Sequence, residues 1–360
     1  MPIPVHIITG FLGAGKTTLL NRLLKSGAFA DTAIIVNEFG DVGIDHLLIE
    51  TSARNGDMIE LSDGCLCCTV RGDLIDTLEK IAAEAERGKR IDRVIIETTG
   101  LADPVPVLQA IIGAPALFER FRLAGLVAVV CAVSGIDTLA AQEEARQQVA
   151  LADTVIVTKT DLPEADFARL RQRLAALNAI ADIRDANAPG FALEIDDTGA
   201  SGVYASGHDL TFTEDEHHHH HDHGDHDHAH GHLDVNRHDA SIEAFTLRHD
   251  APIPAATVEM FVDLLRSSMP GQVLRMKGIV LTAEQPARPM VIHGAGPVYH
   301  PPVLLDAWDG RAPETRLVVI ARNGNRRKIA DLFAAFAGQV ATDTPDRDAV
   351  IANPLAVPGF

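Results

Sequence analysis

Gly10-Phe11-Leu12-Gly13-Ala14-Gly15-Lys16-Thr17 is the stretch on which the reading of this chain turns. It follows a short apolar run, Val5–Ile8, and opens a helix-like run, Thr17–Lys25. Its spacing fits G-x-x-x-x-G-K-[ST] in the required strand–turn–helix setting. Glycines at these positions let backbone N–H groups turn inward onto phosphate oxygens, and the helix N-terminus adds its partial positive charge. Gly10, Gly13, Ala14, Gly15, Lys16, Thr17 and Thr18 are therefore the expected phosphate cradle. Lys16 is placed to reach the β- and γ-phosphates as a catalytic group, and the Thr17 hydroxyl to ligate Mg²⁺.

Further along, short apolar runs alternate with helical stretches. Strands are expected at Ala33–Asn37, Arg93–Glu97, Gly125–Val133 and Thr154–Thr158, with helices at Asp73–Glu86 and Asp166–Leu177. Strands apolar on both faces and separated by helices predict an α/β fold with a mostly parallel, doubly wound sheet. Arg93-Val-Ile-Ile-Glu97-Thr-Thr-Gly100 ends one such strand on an acid. Glu97 suits the Mg²⁺ shell, and the Gly100 amide suits contact with the γ-phosphate. Thr158-Lys159-Thr160-Asp161 ends another strand. There Asp161 can accept the N1–H and 2-amino hydrogens of guanine while the Lys159 stem packs on the base. Adenine lacks that pair of donors and would leave the carboxylate unpaired, so GTP is expected over ATP.

Composition excludes several classes. The chain has 360 residues, 46% of them apolar and 22% charged, ample for packed cores and incompatible with whole-chain disorder. Fifty acidic residues against 31 basic ones give a formal charge of −19, which argues against a nucleic-acid partner. The longest nearly continuous apolar run, Leu123–Val133, is too short for a spanning helix, so no membrane partner is expected. No secretory signal is evident at the N-terminus, and four cysteines are too few for a disulfide scaffold. A cytoplasmic location is the expectation.

Three of those cysteines, Cys65, Cys67 and Cys68, crowd a glycine-flanked loop, and thiolates are soft ligands suited to Zn²⁺, Cu(I) and, less strongly, Co²⁺ or Ni²⁺. Adjacent Cys67 and Cys68 diverge, so two thiolates with ligands from elsewhere is the expected set; Cys131, in an apolar strand, reads as packing. Residues 217–232 hold ten of the seventeen histidines, His217, His218, His219, His220, His221, His223, His226, His228, His230 and His232, mixed with Asp222, Asp225 and Asp227. No core can form from such a tract, which reads as a metal-binding linker of adjustable stoichiometry. The expected organisation is a nucleotide domain over 1–205, this linker over 206–240, an α+β domain over 241–343 and a tail over 344–360. Within the α+β domain, strands are expected at Ile242–Leu247, Val273–Leu281 and Leu317–Ala321, and helices at Thr257–Ser268 and Arg327–Phe336. The isolated histidines, His6, His46, His249, His293 and His300, receive no metal role.

In order and spacing, GFLGAGKTTLLNRLL, VNEFGDVGID, GCLCCTVRGDL, ETTGLADP and TKTD resemble the CobW-like metallochaperone GTPases, relatives of the nickel-insertion GTPases for urease and hydrogenase. LRMKGIVL, Trp308 and RLVVIARN resemble that family's C-terminal domain. Members often carry Glu where this chain has Val36, and many carry Asp where it has Cys131. The resemblance implies GTP binding and slow hydrolysis coupled to transfer of a transition metal, usually zinc and in the cobalamin branch cobalt, to a client metalloprotein. On this expectation GTP orders Asn37–Asp45 and Ser62–Gly72, bringing Glu38 and the cysteines into one metal site. Hydrolysis, with Asp41 positioning the attacking water, then releases the ion. Competing readings are a metal buffer acting through the His tract, a regulatory GTPase with incidental cysteines, and a P-loop kinase for a small molecule. The client's identity and a possible homo-oligomer are not readable from the residues.

Overall fold

A computed structural model of the chain describes residues 2–25, 31–36, 58–60, 69–114, 117, 119–189, 191, 242–308, 310, 312–322 and 325–338. Among these residues, seven strands form the first sheet: β1 Ile3–Thr9, β2 Thr32–Val36, β3 Met58–Glu60, β4 Arg93–Glu97, β5 Phe121–Cys131, β6 Thr154–Thr158 and β7 Asp182–Asp185. Their order is β3-β2-β4-β1-β5-β6-β7, and every pairing is parallel. Helices α1 Lys16–Lys25, α2 Thr69–Glu86, α3 Val105–Gly113, α4 Gly135–Ala141, α5 Glu143–Leu151 and α6 Phe167–Leu177 accompany them. The doubly wound parallel sheet expected from the alternating pattern is thus present.

Sequence and burial agree strand by strand. In β2 all five residues are buried, and in β5 eight consecutive residues from Ala124 to Cys131 are, as strands covered on both faces require. α1 buries Leu19, Leu20 and Leu23 against Ile8, Ile34 and Ile95. Each such leucine contributes about 1.5–3 kcal/mol on leaving water. Two strands have no clear signal in the sequence. β3 is three residues long, and β7, Asp-Ile-Arg-Asp, is half-buried at every position with charged residues at both ends. Helices α3, α4 and α5 are also absent from the sequence expectation; each is only seven to nine residues long, and α3 is apolar nearly throughout, without the polar face that marks a helix.

The second sheet is antiparallel. Strands β8 Ile242–His249, β9 Val273–Val280, β10 Met290–Ala295, β11 Val298–Tyr299 and β13 Thr315–Arg322 lie in the order β11-β10-β9-β13-β8, with β12 Val303–Leu304 also on β10. Alternation along β13 sends Leu317, Val319 and Ala321 to one core, joined by Met276 and Val280 of β9 and, across a register shift in the β13–β9 pairing, by Val273; α7 Ala255–Ser268 and α8 Arg326–Phe336 share it. There the rings of Phe261 and Phe333 meet edge to face, 5.4 Å between centroids. Leu274, Ile320, Ala295 and Val298 instead join the core of the first sheet.

Charge reinforces that junction. Arg275, 3% exposed, donates to the Leu151 carbonyl oxygen and to Asp153, whose other carboxylate oxygen accepts from the Leu126 N–H at 2.9 Å. Lys277 Nζ stands 4.0 Å from the same carboxylate. Burial alone raises the pKa of Asp153, but Arg275 and Lys277 hold it down at about 2. Burial pulls the Lys277 ammonium down to about 8 against the pull of Asp153. His293 and His300, expected to be isolated, stack here with ring centroids 4.0 Å apart, and burial holds His293 neutral with a pKa of about 3. Removing one partner from a buried ion pair such as Arg275–Asp153 strands the other charge, at about 3–5 kcal/mol.

Candidate nucleotide site

The turn after β1 lies at the carboxyl ends of the parallel strands, where ligands dock in open α/β sheets. Gly10 takes φ 144°, and a Cβ there would fall 2.3 Å from the Val129 carbonyl oxygen, so no other residue fits. Lys16, 9% exposed, donates from Nζ to the Gly10 carbonyl oxygen at 2.8 Å, folding its side chain back across the turn. Gly13, Ala14 and Gly15 complete the turn into α1, with Thr17 and Thr18 in its first helical residues.

Glu97 ends β4 level with Ile8 of β1 and Val36 of β2 and is 4% exposed. Its Oε1 accepts from Thr17 Oγ1 at 2.9 Å. The two expected Mg²⁺ groups, eighty residues apart, are therefore in contact. A hydroxyl and a carboxylate are hard oxygen donors of the kind Mg²⁺ selects, so the pair fits that ion. Thr98 Oγ1 donates to Thr9 Oγ1 at 2.9 Å and ties the two strand ends together. Gly100 packs on the cradle so closely that a Cβ would lie 2.7 Å from the Leu12 nitrogen. This apposition brings the Gly100 backbone to the phosphate turn.

Thr158, Lys159 and Asp161 close the other side. Thr158 Oγ1 donates to the Ala14 carbonyl oxygen at 2.6 Å, and Lys159 Nζ to that of Gly13 at 3.0 Å. Lys159 takes φ 57°, a left-handed conformation that an L-residue adopts at a cost of about 1–2 kcal/mol. That strain is characteristic of a functional turn. Asp161 is exposed, and its Oδ1 accepts from Asn187 Nδ2 at 2.6 Å.

Sequence reasoning missed the support of that carboxylate. Asp185 Oδ1 accepts from Thr160 Oγ1 at 2.6 Å and from the Asn187 N–H at 2.8 Å, while Arg22 of α1 donates to the Ala186 carbonyl oxygen at 2.7 Å and to Asn187 Oδ1 at 3.3 Å. The Arg22 guanidinium also lies 5.1 Å from the Phe191 ring centroid. An Asp-x-Asn turn after a strand was the available signal, but β7 lacks the apolar run that marks a strand. Cys131 is buried at the end of β5, consistent with packing. Burial pushes its thiol pKa up, but bonds from Ser134 and Val133 and the charge of Lys159 hold it below the ordinary value.

Glu38, Asp41, Cys65, Cys67, Cys68 and the ten histidines of residues 217–232 lie outside the described residues. Among the described residues, no three His, Cys, Asp or Glu side chains are grouped to hold a metal ion. Nor is any helix there long and apolar enough to cross a membrane.

Residues 4–185 match the CobW/HypB/UreG nucleotide-binding domain, more than half of the chain. The chain belongs to that family. Residues 242–337 also match the CobW C-terminal domain of cobalamin synthesis proteins. The zinc chaperone YjiA of Escherichia coli is 39% identical over 183 residues, 51% of this chain and 57% of the relative. The zinc-regulated GTPase metalloprotein activator 1 of Schizosaccharomyces pombe is 37% identical over 189 residues, 51% of this chain and 45% of the relative. The chain thus spans about half the length of the curated relatives it matches. Among solved structures, the Zn(II)-bound YjiA GTPase superposes with a TM-score of 0.65 at 24% identity, covering 93% of this chain and 99% of that one. At that identity the likeness speaks for the fold.

Proposed function

We propose that this family member is a GTP-dependent metallochaperone, a GTP hydrolase that takes up Zn²⁺ as cargo in the GTP state and passes it to a client metalloprotein on hydrolysis. The observation that carries the reading is a shared level in the sheet. Val36 at the end of β2 pairs in register with both Glu60 at the end of β3 and Glu97 at the end of β4. β2 and β3, whose last residues Val36 and Glu60 precede Glu38 with Asp41 and Cys65 with Cys67 and Cys68 in the sequence, therefore end on the same level as Glu97. Naming of the relatives as zinc chaperones supports zinc over Co²⁺ or Ni²⁺ as cargo.

Within this reading the amides of Gly10–Thr18 and Lys16 hold the phosphates, and Asp161 with Lys159 reads guanine. Thr17 and Glu97 would hold Mg²⁺, which would supply charge neutralisation for the phosphates. The Gly100 amide contacts the γ-phosphate, and Asp41 orients the attacking water. Loss of the γ-phosphate removes the contact that holds Glu38 and the thiolates together. Residues 206–240 serve as a secondary metal-collecting linker, and the site of action is the cytoplasm.

Zn²⁺ affinity of a chain lacking residues 214–232, measured by chelator competition, tests this proposal. A single site is expected to tighten at least a hundredfold with a Mg²⁺–GTP analogue over Mg²⁺–GDP, about 2.7 kcal/mol of coupling, and to vanish in Cys67→Ala. Equal affinity in all nucleotide states would reject it. Loss of nearly all bound metal on deleting the tract would favour a buffer. Tighter gating of Co²⁺ than of Zn²⁺ would point to the cobalt branch.

A further inference from the structure

Gln148 lies in the middle of α5, is 1% exposed, and lines one cavity with Gly10, Leu12 and Ala14 of the phosphate turn. Its Nε2 donates to the Gly100 carbonyl oxygen at 3.2 Å and to the Ala102 carbonyl oxygen at 3.1 Å. One carboxamide thus clamps the loop after Glu97, forty-eight residues away in sequence. Gly100 is at the same time pressed on Leu12 of the phosphate turn. Its peptide is therefore fixed between the cradle on one side and Gln148 on the other.

The helix carrying Gln148 is itself held by the second sheet. Arg322 of β13 pairs with Glu143 at 3.2 Å and donates to Gln147, the residue next to the clamp. Arg275 of β9 donates to the Leu151 carbonyl oxygen at the end of the helix. Gln148 Oε1 and Thr99 Oγ1, both buried, have no hydrogen-bond partner among the described residues. Buried polar atoms without partners carry a desolvation penalty, and a threonine hydroxyl and a carboxamide oxygen can both bond to an ordered water.

We propose that Gln148 is a positioning residue for nucleotide triphosphate recognition: it sets the Gly100 peptide against the γ-phosphate, and β9 and β13 set Gln148 through α5. The inference rests on the GTP reading above and adds to it a residue and a route by which the C-terminal domain acts on the nucleotide. A group that acts only through Gly100 matters for GTP and not for GDP, which has no γ-phosphate.

Gln148→Met keeps the length and burial of the side chain and removes the donor. In the full chain it is expected to weaken binding of a non-hydrolysable GTP analogue about tenfold and to slow GTP turnover similarly, with GDP affinity within twofold of the parent. Arg322→Ala, at the far end of the route, is expected to move the same ratio in the same direction by about threefold, and it carries the test if Gln148→Met does not fold. Gly100→Ala serves as the reference. A ratio that shifts in Gly100→Ala but not in Gln148→Met overturns this proposal alone. No shift in either overturns it together with the assignment of Gly100. Equal weakening of GDP and the GTP analogue by Gln148→Met would mark a structural role only and would also overturn it. A shift in Gln148→Met with none in Arg322→Ala removes the route through β13.

Discussion

Replacing Lys16 with Met is expected to lower the turnover of GTP by about 10²–10³-fold, or roughly 2.7–4 kcal/mol of transition-state stabilisation. Lys16 carries a full charge in a site 9% exposed, where a cation facing developing phosphate charge is worth far more than in water. Methionine keeps the apolar stem in place, so packing between α1 and the sheet is preserved. It does remove the donor to the Gly10 carbonyl oxygen. An acceptor left without that donor costs about 1–3 kcal/mol of stability, seen as a lower melting temperature. Phosphate release and thermal unfolding measured on one preparation separate the two effects. Turnover within a few-fold of the parent would contradict the assignment of Lys16.

Asp161→Asn is expected to cut kcat/KM for GTP by about 10²–10³-fold and to raise it for xanthosine triphosphate. Two charge-assisted bonds from the guanine N1–H and 2-amino group, each worth about 1.5–3 kcal/mol, are lost or reversed in sign. An asparagine side chain can still accept from N1–H, but its own N–H₂ faces the 2-amino donor of guanine. The 2-oxo group of xanthine accepts that N–H₂ instead. Scaffold geometry is expected to survive, since the carboxamide oxygen introduced by the substitution can take over the bond from Asn187 Nδ2 that Asp161 Oδ1 accepts in the parent. A variant that loses GTP and xanthosine triphosphate alike would show that Asp161 supports the turn without reading the base.

Much of this site was legible because its chemistry sits at the ends of strongly apolar strands. β1, β4 and β6 announce themselves by buried runs, and Gly10–Thr17, Glu97–Gly100 and Thr158–Asp161 follow directly at their carboxyl ends. The contact of Thr17 with Glu97 was implied by residue type and is realised because β1 and β4 are neighbours in parallel register. What escaped lies in polar or short elements. β7 has no apolar run, so the Asp185–Asn187 support of Asp161 was invisible. α5 is nine residues long, and nothing in its composition marks Gln148 as reaching Gly100. The groups that bear on this helix, Gly100, Arg322 and Arg275, are distant in sequence, and such pairings emerge only from tertiary packing. His293 and His300 looked isolated for the same reason: the β10–β11 hairpin brings them together.

Metal release driven by hydrolysis is the step on which the proposed function stands. The most direct test loads the chain lacking residues 214–232 with one equivalent of Zn²⁺ and with GTP, starts turnover with Mg²⁺, and follows zinc transfer to a fluorescent chelator alongside phosphate release. Zinc is expected to appear with the same rate constant as phosphate, and to stay bound with a non-hydrolysable GTP analogue or in Lys16→Met. Zinc transfer at an unchanged rate with the analogue would contradict hydrolysis-driven release.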